Sequence, residues 1–131
     1  MPDLGTVVIT EKIVQNFQKV TFAWTSVDGG GDAGKAQKTT VNYYTGELIR
    51  LITDPGATAP TDDYDVAIND DDGFDVLLGA GANRDTVNTE QVLASSLGCV
   101  VSSKLTLSIT NAGNAKVGTV HLYIKAGDYK K

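Results

Sequence analysis

The segment Gly29–Ala36 is the part of the chain closest in residue type and spacing to a phosphate-binding site. It reads GGGDAGKA, which supplies both glycines and the lysine of such a loop, but Ala36 replaces the hydroxyl residue that would hold magnesium. A phosphate loop should also open a helix whose amides bind the anion, whereas residues 37–44 are rich in β-branched and aromatic side chains. We therefore predict a mobile glycine-rich loop over Asp28–Gly34 that binds no nucleotide.

A second candidate site is acidic. Half of the acidic residues lie between Asp54 and Asp75, a window without lysine or arginine, so this region carries a strong negative potential. Aligning Gly73 with the glycine of an EF-hand loop puts Ile68 and Gly79 at the terminal ligand positions, so that pattern fails. An irregular calcium site remains an alternative to a solvated turn. Its candidate ligands are Asp70, Asp71 and Asp72.

No catalytic constellation accompanies the remaining reactive residues. His121 is the only histidine, and no nucleophile motif is present to pair with it, so it reads as a surface or interface residue. Cys99 is the only cysteine, which excludes an internal disulfide, and its neighbours Gly98 and Val100 favour a small buried hydrophobe. Trp24 is the only tryptophan and is predicted to face inward, so an exposed tryptophan platform for a sugar substrate is lacking. We predict no enzymatic activity and no cofactor.

Composition limits the partners. The chain has 131 residues, a formal net charge of −5 and a sequence pI near 4.6, which argues against binding nucleic acid through its phosphates. The apolar stretches are too short to span a membrane. Met1–Gly5 lacks the cationic and apolar regions of a secretory signal, so we expect synthesis in the cytoplasm without a signal of its own.

Period-two patterning places these residues on strands. Thr6–Val14 and the alternating residues 19–24 predict a hairpin closed by Gln15 and Asn16. Further predicted elements are a strand-like stretch Thr39–Tyr44, a strand Glu47–Ile52, a loop Asp54–Pro60, a hairpin joining Tyr64–Ile68 to Phe74–Leu78, one short helix within Asn88–Leu97, and a terminal hairpin joining Leu105–Ile109 to Val120–Ile124. The pattern indicates a single all-β domain over residues 1–131, an antiparallel β-sandwich or barrel of jelly-roll-like type with at most one short helix. Residues 1–5 are predicted to form an extended N-terminal arm.

Two stretches resemble small proteins encoded in the virion-structure regions of tailed bacteriophages. Residues 46–90 read GELIRLITDPGATAPTDDYDVAINDDDGFDVLLGAGANRDTVNTE, and residues 104–125 read KLTLSITNAGNAKVGTVHLYIK. The likeness covers roughly the last two thirds of the chain. It is closest to capsid decoration (cement) proteins, which are commonly trimeric.

The resemblance implies a non-catalytic role on the capsid surface of the virion, as a homotrimer that binds the major capsid protein and stabilises the head. It identifies no contact residues. One alternative is a tail or fibre-associated accessory domain that binds another virion protein or a host glycan. A small ligand-binding module unrelated to viruses is another, and it should present a concave site with inward polar groups.

Overall fold

The chain folds into β-strands. The computed structural model describes residues 5–29 and 32–126, and within them the only helical element is a 3₁₀ turn at Ala94–Ser96. The strands are β1 (Thr6–Val14), β2 (Phe17–Thr25), β3 (Val27–Gly29), β4 (Asp32–Thr39), β5 (Tyr44–Pro55), β6 (Asp65–Asn69), β7 (Glu90–Leu93), β8 (Cys99–Ser103), β9 (Thr106–Thr110) and β10 (Val117–Lys125). The predicted all-β antiparallel class is confirmed. Most of the predicted arm, residues 1–4, lies outside the described residues.

Six strands form the first sheet. Its order is β1-β2-β10-β5-β7, and β8 also pairs with β5. The strand β10 occupies the middle because its alternate residues Val120, Leu122 and Ile124 are fully buried, while the intervening His121 and Tyr123 stay half-buried on the outer face. The predicted β1–β2 hairpin is confirmed with its turn at residues 15 and 16.

Four strands form the second sheet, in the order β3-β4-β9-β6. The apolar faces of the two sheets enclose one cluster of buried side chains. Its largest fully buried members include Trp24, Tyr64, Phe22, Leu51, Leu107 and Leu122. Trp24 is 1% exposed, so its predicted inward orientation is confirmed.

The predicted terminal hairpin is wrong in its pairing. Both strands exist, but β9 pairs with β4 and β6 in the second sheet, whereas β10 pairs with β2 and β5 in the first. Positive φ angles at Asn111, Gly113 and Ala115 turn the chain between the sheets. Alternating burial identifies a strand with one face on the core, but strands of either sheet show that pattern.

The predicted hairpin after Tyr64 is also wrong in its second half. The strand β6 forms and pairs with β9, but Phe74–Leu78 is a series of turns with one bridge, between Asn69 and Asp75. Val76 and Leu77 are both buried although they are neighbours, which a half-buried strand does not allow.

The remaining predictions need smaller corrections. The proposed helix within Asn88–Leu97 is the edge strand β7 followed by the 3₁₀ turn. The stretch Thr39–Tyr44 is mainly a connection, because β4 ends at Thr39 and β5 begins at Tyr44. The loop predicted at Asp54 begins only at Gly56, since β5 pairs with β10 through Pro55.

Cys99 is exposed, contrary to the prediction that it is buried. It begins β8, where the next residue Val100 points into the core and is 1% exposed. Successive strand residues face opposite sides, so burial of Val100 directs Cys99 to solvent.

Tyr64 provides a pH-dependent test of the core. Its ring centroid lies 5.7 Å from that of Trp24, and its hydroxyl has no hydrogen-bond partner among the described residues. Burial raises the pKa of Tyr64 to about 12, although nearby Thr53 and Arg84 act in the opposite direction.

We expect Tyr64→Phe to remove part of the loss of stability at high pH. Above pH 10 the unfolded tyrosine releases its proton while the folded one retains it, so rising pH favours unfolding until about pH 12. By about pH 11 the part of this loss that Tyr64 accounts for is about 1.4 kcal/mol, half of the value for the whole window. Guanidinium unfolding of both proteins at about pH 8 and about pH 11 measures it. An equal loss in the variant would contradict this assignment.

Candidate functional site

The residues of the phosphate-like segment do not form a helix N-terminus. Its described part runs from β3 into β4, which pair through Val27 with Lys35 and through Gly29 with Asp32, and Ala36 is fully buried. The loop predicted over Asp28–Gly34 is therefore wrong at both ends, which belong to the paired strands β3 and β4, while residues 30 and 31 lie outside the described residues. The lysine is followed by residues of β4 and not by a helix, as expected from the β-branched and aromatic residues after it.

Two of the three aspartates of the calcium hypothesis accept hydrogen bonds from backbone amides. Asp70 Oδ1 accepts hydrogen bonds from the amides of Asp72 and Phe74, each at 3.0 Å. Asp71 Oδ2 accepts a hydrogen bond from the Lys104 amide at 3.4 Å, while the Asp71 amide donates to Ser103 Oγ at 2.8 Å. These bonds are typical of aspartate-rich turns. Across residues 5–29 and 32–126, no group of three or more histidine, cysteine or acidic side chains is placed to hold a metal ion.

Asp75 has a structural role that sequence reasoning missed. Its Oδ1 accepts hydrogen bonds from the amides of Ile68 at 3.2 Å and Leu77 at 3.0 Å, and its Oδ2 accepts one from Gly79 at 2.9 Å. One carboxylate thus accepts hydrogen bonds from backbone amides that would otherwise need a neighbouring strand as their partner.

His121 is half-buried on the outer face of the first sheet. Its Nδ1 lies 3.1 Å from Thr21 Oγ1, the residue opposite it on β2. Burial and the neighbouring charge of Lys19 lower the pKa of His121, and Asp54 partly opposes them. Sequence reasoning missed Thr21 as a partner because the pairing of β2 with β10 joins residues a hundred positions apart.

Asp54 and the backbone amides around the pair formed by His121 and Thr21 already have partners within the sheet. Asp54 lies in the next row of the sheet and accepts a hydrogen bond from Thr89 Oγ1 at 2.9 Å. The surrounding backbone amides belong to paired strands, so they are not available as oxyanion donors. The arrangement fixes the imidazole on the sheet rather than activating a nucleophile.

A distinct surface appears one row further along the same face, near the tip of the β1–β2 hairpin. Tyr123 lies between two cations: Lys19 Nζ is 5.4 Å and Arg50 Cζ is 5.6 Å from its ring centroid. Lys12 is opposite Lys19 on β1, so the register gathers three of the positive charges of an acidic chain in one row.

Exposed apolar side chains border this row. Val14 is 54% and Phe17 is 45% exposed at the end of the hairpin. A groove of about 320 Å³ separates them from the aromatic ring. We call this region the hairpin surface; it is defined by Lys12, Val14, Phe17, Lys19 and Tyr123, and Gln18 also borders the groove. The sequence contained a signal for this surface, because large apolar residues flank the turn at residues 15 and 16. Whether those residues are exposed depends on whether the second sheet covers them, which the sequence alone does not show.

No helix in the described ranges is long and apolar enough to cross a bilayer. Comparisons with protein-family models, with curated proteins and with solved structures found no match to this chain.

Proposed function

We propose that this chain is a non-catalytic capsid decoration protein that binds the major capsid protein of a phage head through the hairpin surface. The observation that carries the proposal is that surface itself, an exposed apolar and cationic patch on a chain of net charge −5. The resemblance described above supplies the class of partner.

The composition of the hairpin surface suits a protein partner. Interfaces are enriched in aromatic residues and arginine, and their energy concentrates in apolar anchors surrounded by a polar rim. Here Phe17 and Val14 would be the anchors, and Lys12 and Lys19 would belong to the rim. A partner surface with acidic groups would complement that rim and speed association.

The free edge of β1 offers a second mode of contact. It pairs with β2 on one side and has no strand partner on the other among the described residues. Such an edge can accept a strand from another protein. Lys12 on this edge disfavours pairing with unrelated strands.

The acidic turns are expected to face solvent in the assembled particle. Seven aspartates lie between Asp62 and Asp75, and burying them against a shell without matching cations would be unfavourable. Association into a trimer would multiply weak contacts, because linked attachment raises avidity by about 10² to 10⁴.

The test is attachment to phage heads that lack this protein. Purified protein is added back, and its copy number and position are measured by mass spectrometry and electron microscopy, together with resistance of the heads to heat and osmotic shock. We expect a copy number approaching that of the major capsid protein. The double variant Val14→Glu with Phe17→Glu should bind at least about 100-fold more weakly, because two unpaired charges would be desolvated at the contact.

A matched control carries the same charge change elsewhere. Phe74 and Val87 are 73% and 76% exposed, and the double variant Phe74→Glu with Val87→Glu should bind like the wild type. If the wild-type protein does not bind heads, the decoration proposal is wrong. Binding only at the tail would replace it with the tail-accessory function.

A further inference from the structure

The inner face of the β1–β2 hairpin changes from apolar to polar near its tip. Register places Glu11 opposite Val20 and Ile13 opposite Gln18 on the face that elsewhere forms the core. Glu11 is exposed and Gln18 is half-buried. Glu11 and Gln18 are polar, as is typical where a strand face is not covered by a second sheet, and the space over them is open.

That space is a cleft of about 610 Å³ between the hairpin and the start of β5. We call it the inner cleft, and the residues that characterise it are Glu11, Ile13, Gln18, Asn42, Tyr43 and Tyr44. Its volume lies in the usual range for small-molecule sites. Lys12 and Lys19 also border it, but strand alternation directs their side chains to the opposite face, where the Lys19 ammonium contacts Tyr123.

Two buried polar atoms of the inner cleft lack partners. Neither Tyr44 Oη nor Gln18 Oε1 has a hydrogen-bond partner within the described part of the chain, although Tyr44 is only 4% exposed. Buried polar groups are normally paired, so each of these atoms calls for an explanation. Trp24, Thr53 and Tyr64 also carry unpartnered buried atoms, but none of them lines the cleft.

The other polar groups are already oriented. Asn42 Nδ2 donates a hydrogen bond to Glu11 Oε1 at 2.6 Å, which holds the carboxylate over the cleft opening. Tyr43 is 61% exposed, and Lys104 Nζ lies 5.4 Å from its ring centroid. The cleft therefore combines an accessible aromatic ring, a fixed carboxylate and two unpaired polar atoms.

We infer that the inner cleft binds an uncharged saccharide. Sugar hydroxyls donate and accept, so they can donate to Gln18 Oε1 and to the carboxylate of Glu11 and form either kind of bond with the Tyr44 hydroxyl. The apolar C–H face of a sugar ring suits the ring of Tyr43. A phosphate or carboxylate ligand offers acceptors only and would be repelled by Glu11. This inference stands apart from capsid attachment, which uses the outer face of the same hairpin.

The test titrates the full-length protein, labelled with ¹⁵N, with glucose, galactose, mannose, N-acetylglucosamine and their disaccharides. At least one sugar should shift the amide signals around Gln18 and Tyr43, with a Kd of about 1 to 10 mM for a ligand of this size. Tyr43→Ala should weaken binding at least about tenfold, whereas Phe74→Ala, which removes an exposed ring elsewhere, should leave it unchanged.

Gln18→Leu separates a binding role from a structural one. Removing an unpaired buried acceptor should leave the unfolding midpoint unchanged or higher, while sugar binding falls at least about tenfold. The inference is overturned if no sugar shifts these signals, if the shifts map to Tyr123, or if only an amine such as spermidine binds. Head attachment is measured separately, so either proposal can fail while the other holds.

Discussion

Gly34→Ala is expected to destabilise the fold by about 4 kcal/mol or more, a large part of the free energy of unfolding of an ordinary domain. Gly34 has a φ of +88°, and a Cβ at this position would lie 2.1 Å from both the amide nitrogen and the carbonyl oxygen of Gly113. Backbone atoms cannot rotate aside as a flexible side chain can. The contact belongs to the connection that carries the chain from β9 to β10, where the Ala112 amide donates to the Gly34 carbonyl at 3.2 Å.

Gly73→Ala is the matched control. Gly73 has nearly the same backbone angle, a φ of +86°, but no atom lies within 4 Å of its added Cβ. The conformational penalty alone should destabilise that variant by about 1 kcal/mol. Chemical unfolding of both variants, with circular dichroism to detect loss of strand signal, measures the difference. Equal stability of the two variants would show that the approach to Gly113 is not tight.

Gly118→Ala is expected to destabilise the core by about 3 kcal/mol. Gly118 is opposite Trp24 across the β2–β10 pairing, and an added Cβ would lie 2.5 Å from Trp24 Cζ2 and 2.8 Å from Cε2. The indole cannot retreat easily, because it is 1% exposed and packs on Tyr64. Overpacking therefore forces the strand or the ring out of position.

A smaller ring should rescue this variant. Trp24→Phe removes the part of the indole that meets the new methyl group, so the double variant should be at least about 1 kcal/mol more stable than the two single effects predict. Gly98→Ala serves as the control for adding a methyl group away from Trp24. Its added Cβ would lie 3.1 Å from the Val76 carbonyl oxygen, a less severe contact than the one at Gly118. Guanidinium unfolding measures the free energy of unfolding of each variant. Strictly additive effects would contradict a direct steric conflict with Trp24.

The two proposed binding regions use opposite faces of one hairpin. The outer face presents Phe17 and Tyr123 among cations, and the inner face presents Glu11 and Gln18 over a cleft. Both depend on the tip of the hairpin projecting beyond the core, where residues 10–17 are all exposed. A protein partner on the outer face would leave the inner cleft open to a small ligand.

Local sequence determined the strands that have one apolar face. Thr6–Val14 and the residues of β2 were predicted from alternation and turn signals, and the inward position of Trp24 followed from the same pattern. These features depend on side chains close in sequence, since a strand alternates its faces residue by residue. The all-β class follows from their number and spacing.

Only the tertiary structure decided which strands pair and which surfaces remain uncovered. The strands β9 and β10 lie in different sheets because turns at residues 111–115 carry the chain across the core, and alternation alone cannot distinguish that route from a hairpin. The contact of His121 with Thr21 and the row around Tyr123 both follow from that strand order. Each joins residues distant in the chain, and their proximity depends on the packing of both sheets.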